Sequence, residues 1–148
     1  MTSGVSFRAY SGADKDACLR VFDANCPAFF APNERRDYVA FLEGNSAGYE
    51  VCELDGRVVG AFGLLEAHQA GIALCWIMLE PHSQGAGIGS EIMSRVISKA
   101  KASRSPAISI SASQKSAPFF AEFGAIALSA TKNGWGPGLD RVDMELTC

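Results

Sequence analysis

Hydrophobic residues recur with two periods along the chain, and the change from one period to the other divides it into strands and helices. Alternating apolar and polar residues predict a half-buried strand, whereas apolar residues three and four positions apart predict one face of a helix. An Asp55-Gly56 turn joins two strand-like stretches and is a strong hairpin signal. The run from Ile72 to Leu79 is apolar on both faces, which places it at the centre of a sheet. The predicted strands run from Phe7 to Tyr10, Tyr49 to Leu54, Arg57 to Glu66, Ile72 to Leu79, Ala107 to Ala112, about Ala125 to Thr131 and Arg141 to Leu146.

Four helical stretches lie between these strands. Ser11 and Asp14 form a variant capping box before the first, and the second begins at about Asn33. The third is the best defined, because its apolar positions fall on a single face. A short fourth helix runs from Ser116 to Phe123. The apolar face of the third helix consists of Ile88, Ile92, Met93, Val96, Ile97 and Ala100.

Length and composition narrow the classes of function. The 148 residues fit one domain, residues 1–148, and 48% of them are apolar, which is ordinary for a globular protein. The formal net charge is −3 without a Lys/Arg-rich run, which argues against nucleic acid and anionic membrane as partners. No apolar stretch reaches the roughly 20 residues that a membrane span needs. The five cysteines have no C-x-x-C spacing, so we expect no metal, no disulfide framework and a cytoplasmic location.

A glycine-rich stretch, Gln84-Gly85-Ala86-Gly87-Ile88-Gly89-Ser90, joins the central apolar strand to the third helix. Glycine permits positive φ angles and has no Cβ to prevent the close approach of a ligand. Several backbone N–H groups can therefore converge on one anion at the helix start, where about four of them are unpaired and the helix dipole is positive. The stretch predicts a phosphate site that is built from the main chain and needs no lysine.

Two common phosphate-binding patterns do not fit this stretch. A Walker loop ends in Gly-Lys-Ser/Thr, but Gly89 is followed by Ser90 and Glu91. A dinucleotide fingerprint has the spacing G-x-G-x-x-G, whereas the glycines here have the spacing G-x-G-x-G. The stretch instead resembles the acyl-CoA pyrophosphate loop of the GNAT family of N-acetyltransferases, which has the pattern Gln/Arg-x-x-Gly-x-Gly/Ala. Gln84, Gly87 and Gly89 occupy the fixed positions of that pattern.

The order of the predicted elements, β-α-α-β-β-β-α-β-α-β-β, is also the order of the GNAT fold. The resemblance therefore implies an α/β fold (an α+β mixed sheet) with six to seven mostly antiparallel strands and about four helices. It also implies a splayed central pair of strands that admits the thioester end of acetyl-CoA, the expected cofactor. The cofactor-binding residues that the resemblance implies are Met78, Leu79, Glu80, Gln84, Gly85, Ala86, Gly87, Ile88, Gly89, Ser90, Ser113, Ser116, Phe119 and Phe120.

A second family motif is only partly present. Relatives commonly carry Asn-x-x-Ala-x-x-Phe-Tyr-x-x-x-Gly-Phe, in which the Asn contacts the cofactor and the Tyr hydroxyl is the general acid. Phe119 and Gly124 match this motif, but Ser113, Phe120 and Ala125 replace the Asn, the Tyr and the final Phe. Because phenylalanine has no hydroxyl, the standard acid is absent.

Serines alternate in the strand that precedes this motif. Ser109, Ser111 and Ser113 share one face, and Ile108 and Ile110 share the other. A packed sheet would have carbon atoms at the serine positions, so we expect water or a ligand to satisfy these hydroxyls.

The sequence offers several candidates for each catalytic role and does not select among them. Lys115 and Ser116 are candidate replacements for the missing acid, and direct escape of the thiolate to water is an equal alternative. Glu66 and His68 are candidate bases near the end of the third predicted strand, although both also fit a solvated strand end. Further candidate bases are Glu80, His82 and Asp143.

Two aromatic segments are expected to shape an acceptor pocket. By resemblance, Phe29 and Phe30 border it between the first two helices, and Trp135 borders it between the last two strands. A hydrophobic staple and a tight β-turn are the alternative explanations for these segments.

The resulting hypothesis is an acetyl-CoA-dependent N-acetyltransferase that acts on a small-molecule or amino-acid-like amine. The alternative is a non-catalytic acyl-CoA-binding or sensing domain of the same fold, which the missing tyrosine favours. The sequence does not distinguish a monomer from a homodimer.

Overall fold

Seven strands form one mixed β-sheet in the computed structural model, which describes residues 4–67, 71–84 and 87–148. The strands β1 to β7 are Val5–Ala9, Tyr49–Leu54, Arg57–Ala67, Gly71–Leu79, Ala107–Ala112, Ile126–Gly136 and Leu139–Thr147. The helices α1 to α4 are Lys15–Ala24, Glu34–Gly44, Ile88–Ala102 and Ala117–Ala121. Short 3-10 turns at Gly12–Asp14 and Pro81–Ser83 precede α1 and follow β4.

The strands lie in the order β1-β2-β3-β4-β5-β7-β6. β4 and β5 are parallel, and the other neighbouring pairs are antiparallel. The predicted fold class is confirmed, since the described residues form a mixed sheet of seven mostly antiparallel strands with four α-helices.

Two hydrophobic clusters cover the two faces of the sheet. Val58 and Val59 are neighbours on β3 but belong to different clusters, as expected when successive side chains point to opposite faces. One cluster holds the buried residues of α1 and α2, including Tyr38. The other holds those of α3 and α4, including the face of α3 that its 3.6-residue period predicts.

The central strands β4 and β5 separate soon after they begin. They pair over only three positions, from Ile72 opposite Ile108 to Leu74 opposite Ile110. The register between β3 and β4 also shifts between Ala61, which pairs with Met78, and Gly63, which pairs with Cys75. Trp76 lies in this irregularity with φ 46°, a left-handed conformation that is rare for a large side chain. The bulge bends β4 at the point where the gap between β4 and β5 opens.

The observed boundaries differ from the predicted ones mainly in the last hairpin. β6 continues to Gly136 and β7 begins at Leu139, so Trp135 lies within a strand rather than in a loop. The predicted capping box forms, with the Ser11 N–H 2.9 Å from Asp14 Oδ2, but it opens a 3-10 turn before α1.

Candidate functional site

A cavity of about 850 Å³ lies between the separated ends of β4 and β5. Its walls come from the last residues of β4, the end of β5 and the first turns of α3 and α4. The segment between α1 and α2, together with Trp135 of β6, closes the other end. The residues that line the cavity include Asn25, Phe29, Phe30, Glu34, Cys75, Trp76, Leu79, Gln84, Gly87, Gly89, Ser90, Lys115, Ser116, Phe119, Phe120, Glu122 and Trp135.

The start of α3 forms one wall of the cavity with open main-chain donors. Gly87 is the N-cap residue with φ 84°, and among the described residues no side chain caps the helix. The first-turn N–H groups therefore have no capping side chain in the described part of the chain, and the helix dipole makes this end positive. Gly87, Gly89 and Ser90 all line the cavity, as predicted for the phosphate site. Gly85 and Ala86, two of the predicted cofactor residues, fall outside the described residues.

Gly89 has a packing role as well. A Cβ at this position would lie 3.1 Å from Cε1 of Phe119, a predicted cofactor residue on α4. Such a distance is tighter than most real contacts, so glycine allows α4 to approach the start of α3. The two glycines of the motif therefore serve different needs, since Gly87 requires its backbone conformation and Gly89 requires space.

The end of β4 presents Leu79 to the gap. Hydrogen bonding alternates along an antiparallel pair, and the neighbouring Glu80 donates its N–H to Val59 O at 2.7 Å on the β3 side. The Leu79 carbonyl instead accepts the amide of Asn25 at 3.0 Å. Gln84, the first residue of the motif, also reaches this carbonyl, at 3.5 Å.

Glu80 does not fit its predicted roles as a cofactor-binding residue and a candidate base. Its N–H donates to Val59, and its carbonyl accepts the N–H of Ser83 at 2.9 Å, so it offers no free main-chain donor to a cofactor. Its carboxylate is 2% exposed and accepts hydrogen bonds from Arg20 and Arg57, each at 2.8 Å. Buried between two guanidinium groups, this carboxylate holds α1, β3 and the end of β4 together rather than serving as a base.

His82 belongs to the same cluster. Its Nε2 lies 2.9 Å from Oε2 of Glu80, while 69% of the imidazole side chain is exposed. His82 lies in the 3-10 turn before the glycine stretch, and its described partner is Glu80.

The turn before α4 carries the predicted Ser113 and Ser116. Ser116 Oγ accepts the N–H of Ser113 at 3.0 Å, and Ser113 Oγ accepts the N–H of Ser116 at 3.3 Å. This reciprocal pair closes the turn before α4, and the two hydroxyl oxygens lie 3.4 Å apart, so that either can donate to the other. Phe120 is 4% exposed and lines the cavity where the family motif has tyrosine. Lys115 lines the cavity from an exposed position.

The serine face of β5 differs from the expectation. Ser111 Oγ lies 3.3 Å from Asp143 Oδ1 and 3.3 Å from Nη2 of Arg141, which also binds Asp143 at 2.9 Å. Side chains of β7 therefore satisfy Ser111, and neither water nor a ligand is required. Arg141 and Ser129 hold the pKa of Asp143 below its usual value against the effect of burial, so Asp143 is a paired carboxylate.

Glu66, another predicted base, lies away from the gap. Glu66 is exposed and pairs in register with Ile72, at the opposite end of β4 from Leu79. His68 falls outside the described residues. Cys75 lines the cavity, but burial raises the pKa of its thiol to about 11, so it is protonated and unreactive at neutral pH.

The predicted aromatic residues do lie in the cavity. Phe30 stacks with Trp76, with ring centroids 6.2 Å apart, and Trp76 continues into a cluster with Tyr38. Trp135 donates its Nε1–H to Ala112 O at 2.9 Å, which fixes the indole at the end of β5. All three predicted residues, Phe29, Phe30 and Trp135, line the cavity. A tight turn at residues 137–138 joins β6 to β7, so the turn that the alternative explanation invokes is also present.

Glu34 is a cavity residue that the sequence reading missed. It is 6% exposed, and its Oε2 accepts the N–H of Ala31 at 2.8 Å. Burial raises the pKa of its carboxyl, and the charge of Asp37 adds to this effect. A glutamate in the first helical turn is ordinary in sequence, so its position alone carries no sign of burial.

The described residues contain no group of three or more metal-ligating side chains. Among the described helices, none is long and apolar enough to span a membrane.

The comparisons with known proteins agree with this geometry. A family model described as the acetyltransferase (GNAT) family matches residues 18–125. An N-acetyltransferase structure from Staphylococcus aureus Mu50 is 20% identical with a TM-score of 0.76, over 98% of this chain and 99% of that one. The yncA structure from Salmonella typhimurium, solved with its cofactor acetyl-CoA, is 18% identical with a TM-score of 0.74, over 98% and 94% of the two chains.

A third similar structure is the N-acetylglutamate synthase of Neisseria gonorrhoeae, complexed with coenzyme A and N-acetyl-glutamate. It is 18% identical with a TM-score of 0.74, over 97% of this chain but 35% of that one. At these identities the solved structures show a common fold. No curated protein gives a significant match to the sequence.

Proposed function

Because the chain belongs to the acetyltransferase (GNAT) family, we propose that it is an acetyl-CoA-dependent N-acetyltransferase for a small-molecule or amino-acid-like amine. The observation that carries this proposal is the gap between β4 and β5, which opens beside the uncapped start of α3. A pyrophosphate needs several N–H donors, and an acyl arm needs an apolar cleft next to them. Both requirements are met in one cavity.

The residues that would hold acetyl-CoA follow from the walls of this cavity. The N–H groups of the α3 first turn, beginning at Gly87, would bind the pyrophosphate. Leu79 lines the cavity and would lie beside the pantetheine arm, and Phe119 packs close to Gly89 at the start of α3. When bound there, acetyl-CoA supplies a thioester whose carbonyl carbon accepts the amine and whose thiolate leaves.

The work of the chain is mainly to orient the two reactants. Well-aligned reactants gain up to roughly 7–11 kcal/mol relative to free encounter. We propose that the amine attacks the thioester directly, because burial raises the pKa of the Cys75 thiol to about 11 and so disfavours the thiolate that an acyl-enzyme would need. In this proposal Ser116, which lines the cavity, turns its hydroxyl proton from Ser113 Oγ to the departing sulfur, and escape of the thiolate to water is the alternative route.

A non-catalytic acyl-CoA-binding domain is the second candidate function. It is favoured by the buried Phe120, which leaves the position of the usual acid without a hydroxyl. Both candidates bind acetyl-CoA, so catalysis must decide between them.

Two measurements test the proposal in sequence. Acetyl-CoA at a hundred times its dissociation constant should raise the free energy of unfolding by roughly 2.7 kcal/mol. Thermal unfolding that is unchanged by millimolar acetyl-CoA would reject the family function for this site. Release of free thiol in the presence of an amine panel should then exceed release without amine. Binding without amine-dependent release would support the non-catalytic domain.

Three broader features complete the proposal. We infer one catalytic domain, because all seven strands belong to one continuous sheet. The free cysteines fit a reducing cytoplasm. A homodimer is supported by the exposed apolar residues of the edge strand β6.

A further inference from the structure

The closed end of the cavity is a chamber with aromatic walls, formed by Phe29, Phe30, Trp76 and Trp135 around Glu34. Contacts between distant segments hold it together. The amide of Asn33 donates to Trp135 O at 3.0 Å, which joins the start of α2 to β6. A Cβ on Gly136 would lie 2.8 Å from the Cβ of Ala31, so these two segments touch through the glycine. We call this part of the cavity the acceptor chamber.

Of the five described residues that define the acceptor chamber, Glu34 is the acidic one. One of its oxygens accepts the N–H of Ala31, and no ion pair with the described residues neutralises it. A buried carboxylate without a cation is costly, as the raised pKa of Glu34 shows. A ligand that brings a positive charge would remove this cost.

The described walls of the cavity offer no buried cation to neutralise the Glu34 carboxylate. Among the described lining residues, Lys115 is the one with a positive charge, and it is an exposed residue on the turn before α4. A carboxylate next to the amine of a ligand would therefore meet Glu34 without a counter-charge. Aromatic faces, in contrast, attract organic cations and pack against apolar groups.

We propose that the acceptor binds as an organic ammonium ion, paired with Glu34, with its apolar body against the aromatic walls and no carboxylate beside its amine. This deepens the proposed function and rests on it. Before transfer, the ammonium nitrogen gives one proton to the Glu34 carboxylate. Its lone pair then forms the bond to the acetyl carbon, the carbon–sulfur bond breaks with its electrons on sulfur, and the second nitrogen proton neutralises the thiolate, directly or through water. Glu34 thus selects the class of amine and prepares it for attack.

The chain offers a direct readout that does not require turnover. It contains two tryptophans, Trp76 and Trp135, and both line the cavity. Intrinsic fluorescence therefore reports on occupancy of the acceptor chamber. The probes are matched pairs that differ only in the carboxylate: phenethylamine and phenylalanine, tyramine and tyrosine, histamine and histidine, butylamine and norvaline. At least one amine should bind about tenfold or more tightly than its amino acid.

The matched variants separate charge from shape. Glu34→Gln keeps an acceptor for the Ala31 N–H but removes the charge, so amine affinity should fall by about tenfold or more. Glu43→Gln removes an exposed carboxylate from the far end of the same helix and should leave amine affinity unchanged. If no amine binds more tightly than its amino acid, or if both variants bind alike, the proposal is wrong.

The pH dependence gives a second arm of the test. Glu34 is charged only above its raised pKa, so amine affinity should fall as the pH drops through that value. Asp37 and Cys26 are the neighbours whose charges couple to Glu34, while Glu122 and Lys115 line the cavity from exposed positions. The Glu34→Gln variant should lose this pH dependence.

Calorimetry with acetyl-CoA distinguishes a failure of the proposed function from a failure of the Glu34 assignment. The parent and Glu34→Gln should bind acetyl-CoA equally, because Glu34 is separate from the start of α3. If the parent does not bind acetyl-CoA, the proposed function fails. If it binds acetyl-CoA but the amine pairs show no preference, only the assignment of Glu34 and its amine class fails.

Discussion

Phe120 is the residue at which the chain departs most clearly from its family. It is buried in the cavity wall, with its ring 5.2 Å from that of Phe119 in an edge-to-face arrangement. A tyrosine here would add one hydroxyl on the cavity side of α4. The usual role of that hydroxyl is to protonate the sulfur, which contributes roughly 10²–10⁴-fold when the acid is well positioned.

We predict that Phe120→Tyr stays folded and transfers acetyl at least as fast as the parent, with kcat as the measured quantity. Phe123→Tyr adds the same oxygen just after α4 at a residue that does not line the cavity, so it should leave kcat unchanged. A large loss of kcat in Phe120→Tyr, with acetyl-CoA binding intact, would contradict the prediction. Phe120 would then pack against the acceptor, and Ser116 would be the acid.

Single residues also show where sequence reading succeeds and where it stops. Gly87 and Gly89 were predictable, because local spacing and backbone freedom define a helix start. Glu34 was not, since its burial depends on the contact between Asn33 and Trp135, which are 102 positions apart. Glu80 was assigned to the cofactor from its place at the strand end, but alternation of main-chain hydrogen bonds turns it toward β3.

At the scale of elements, the junction of β4 and α3 is the part that the proposed function depends on most. Gly87 has φ 84° at the N-cap of α3. A left-handed conformation costs roughly 1–2 kcal/mol for a residue with a Cβ. A carboxylate at this position would also occupy the positive end of the helix, where a phosphate is expected.

Gly87→Glu should therefore weaken acetyl-CoA binding by well over tenfold while the far-ultraviolet spectrum stays folded, as an estimate from lost donors and added repulsion. Gly48→Glu is the matched control, because Gly48 has φ 80° and lies before β2, apart from the cavity walls. The control should lose comparable stability and keep its affinity. Full affinity in Gly87→Glu would mean that the pyrophosphate binds elsewhere.

Most elements were predictable from periodicity, and the ones that shifted have a physical reason. α3 has a full apolar face and begins at Ile88 as expected. Asn133 and Trp135 do not continue the alternation of polar and apolar residues, so periodicity ended the predicted strand too early. The strand continues to Gly136, and the last hairpin is therefore longer than predicted. The gap between β4 and β5 was implied only by the family resemblance, since periodicity does not reveal the bulge at Trp76.

At the scale of the whole molecule, β6 leaves one edge of the sheet open. It pairs with β7 on one side only, and residues from Ile126 to Thr131 are exposed and uncharged. Ile126 and Leu128 are 60% and 61% exposed. Monomeric proteins usually protect such an edge with charged residues, proline or a covering element. An apolar, uncharged edge is suited to pairing with a second copy of itself around a two-fold axis.

We predict that the parent is a dimer in sedimentation velocity at micromolar concentration and that Leu128→Lys is a folded monomer. The lysine places a charge beside its symmetry mate in the paired edge, where like charges repel. Leu65→Lys is the matched control, because Leu65 is also an exposed leucine, at 40%, but lies on the interior strand β3 and should leave the dimer intact. A monomeric parent across the micromolar range, or dimers of equal stability in both variants, would show that β6 is not the contact between copies.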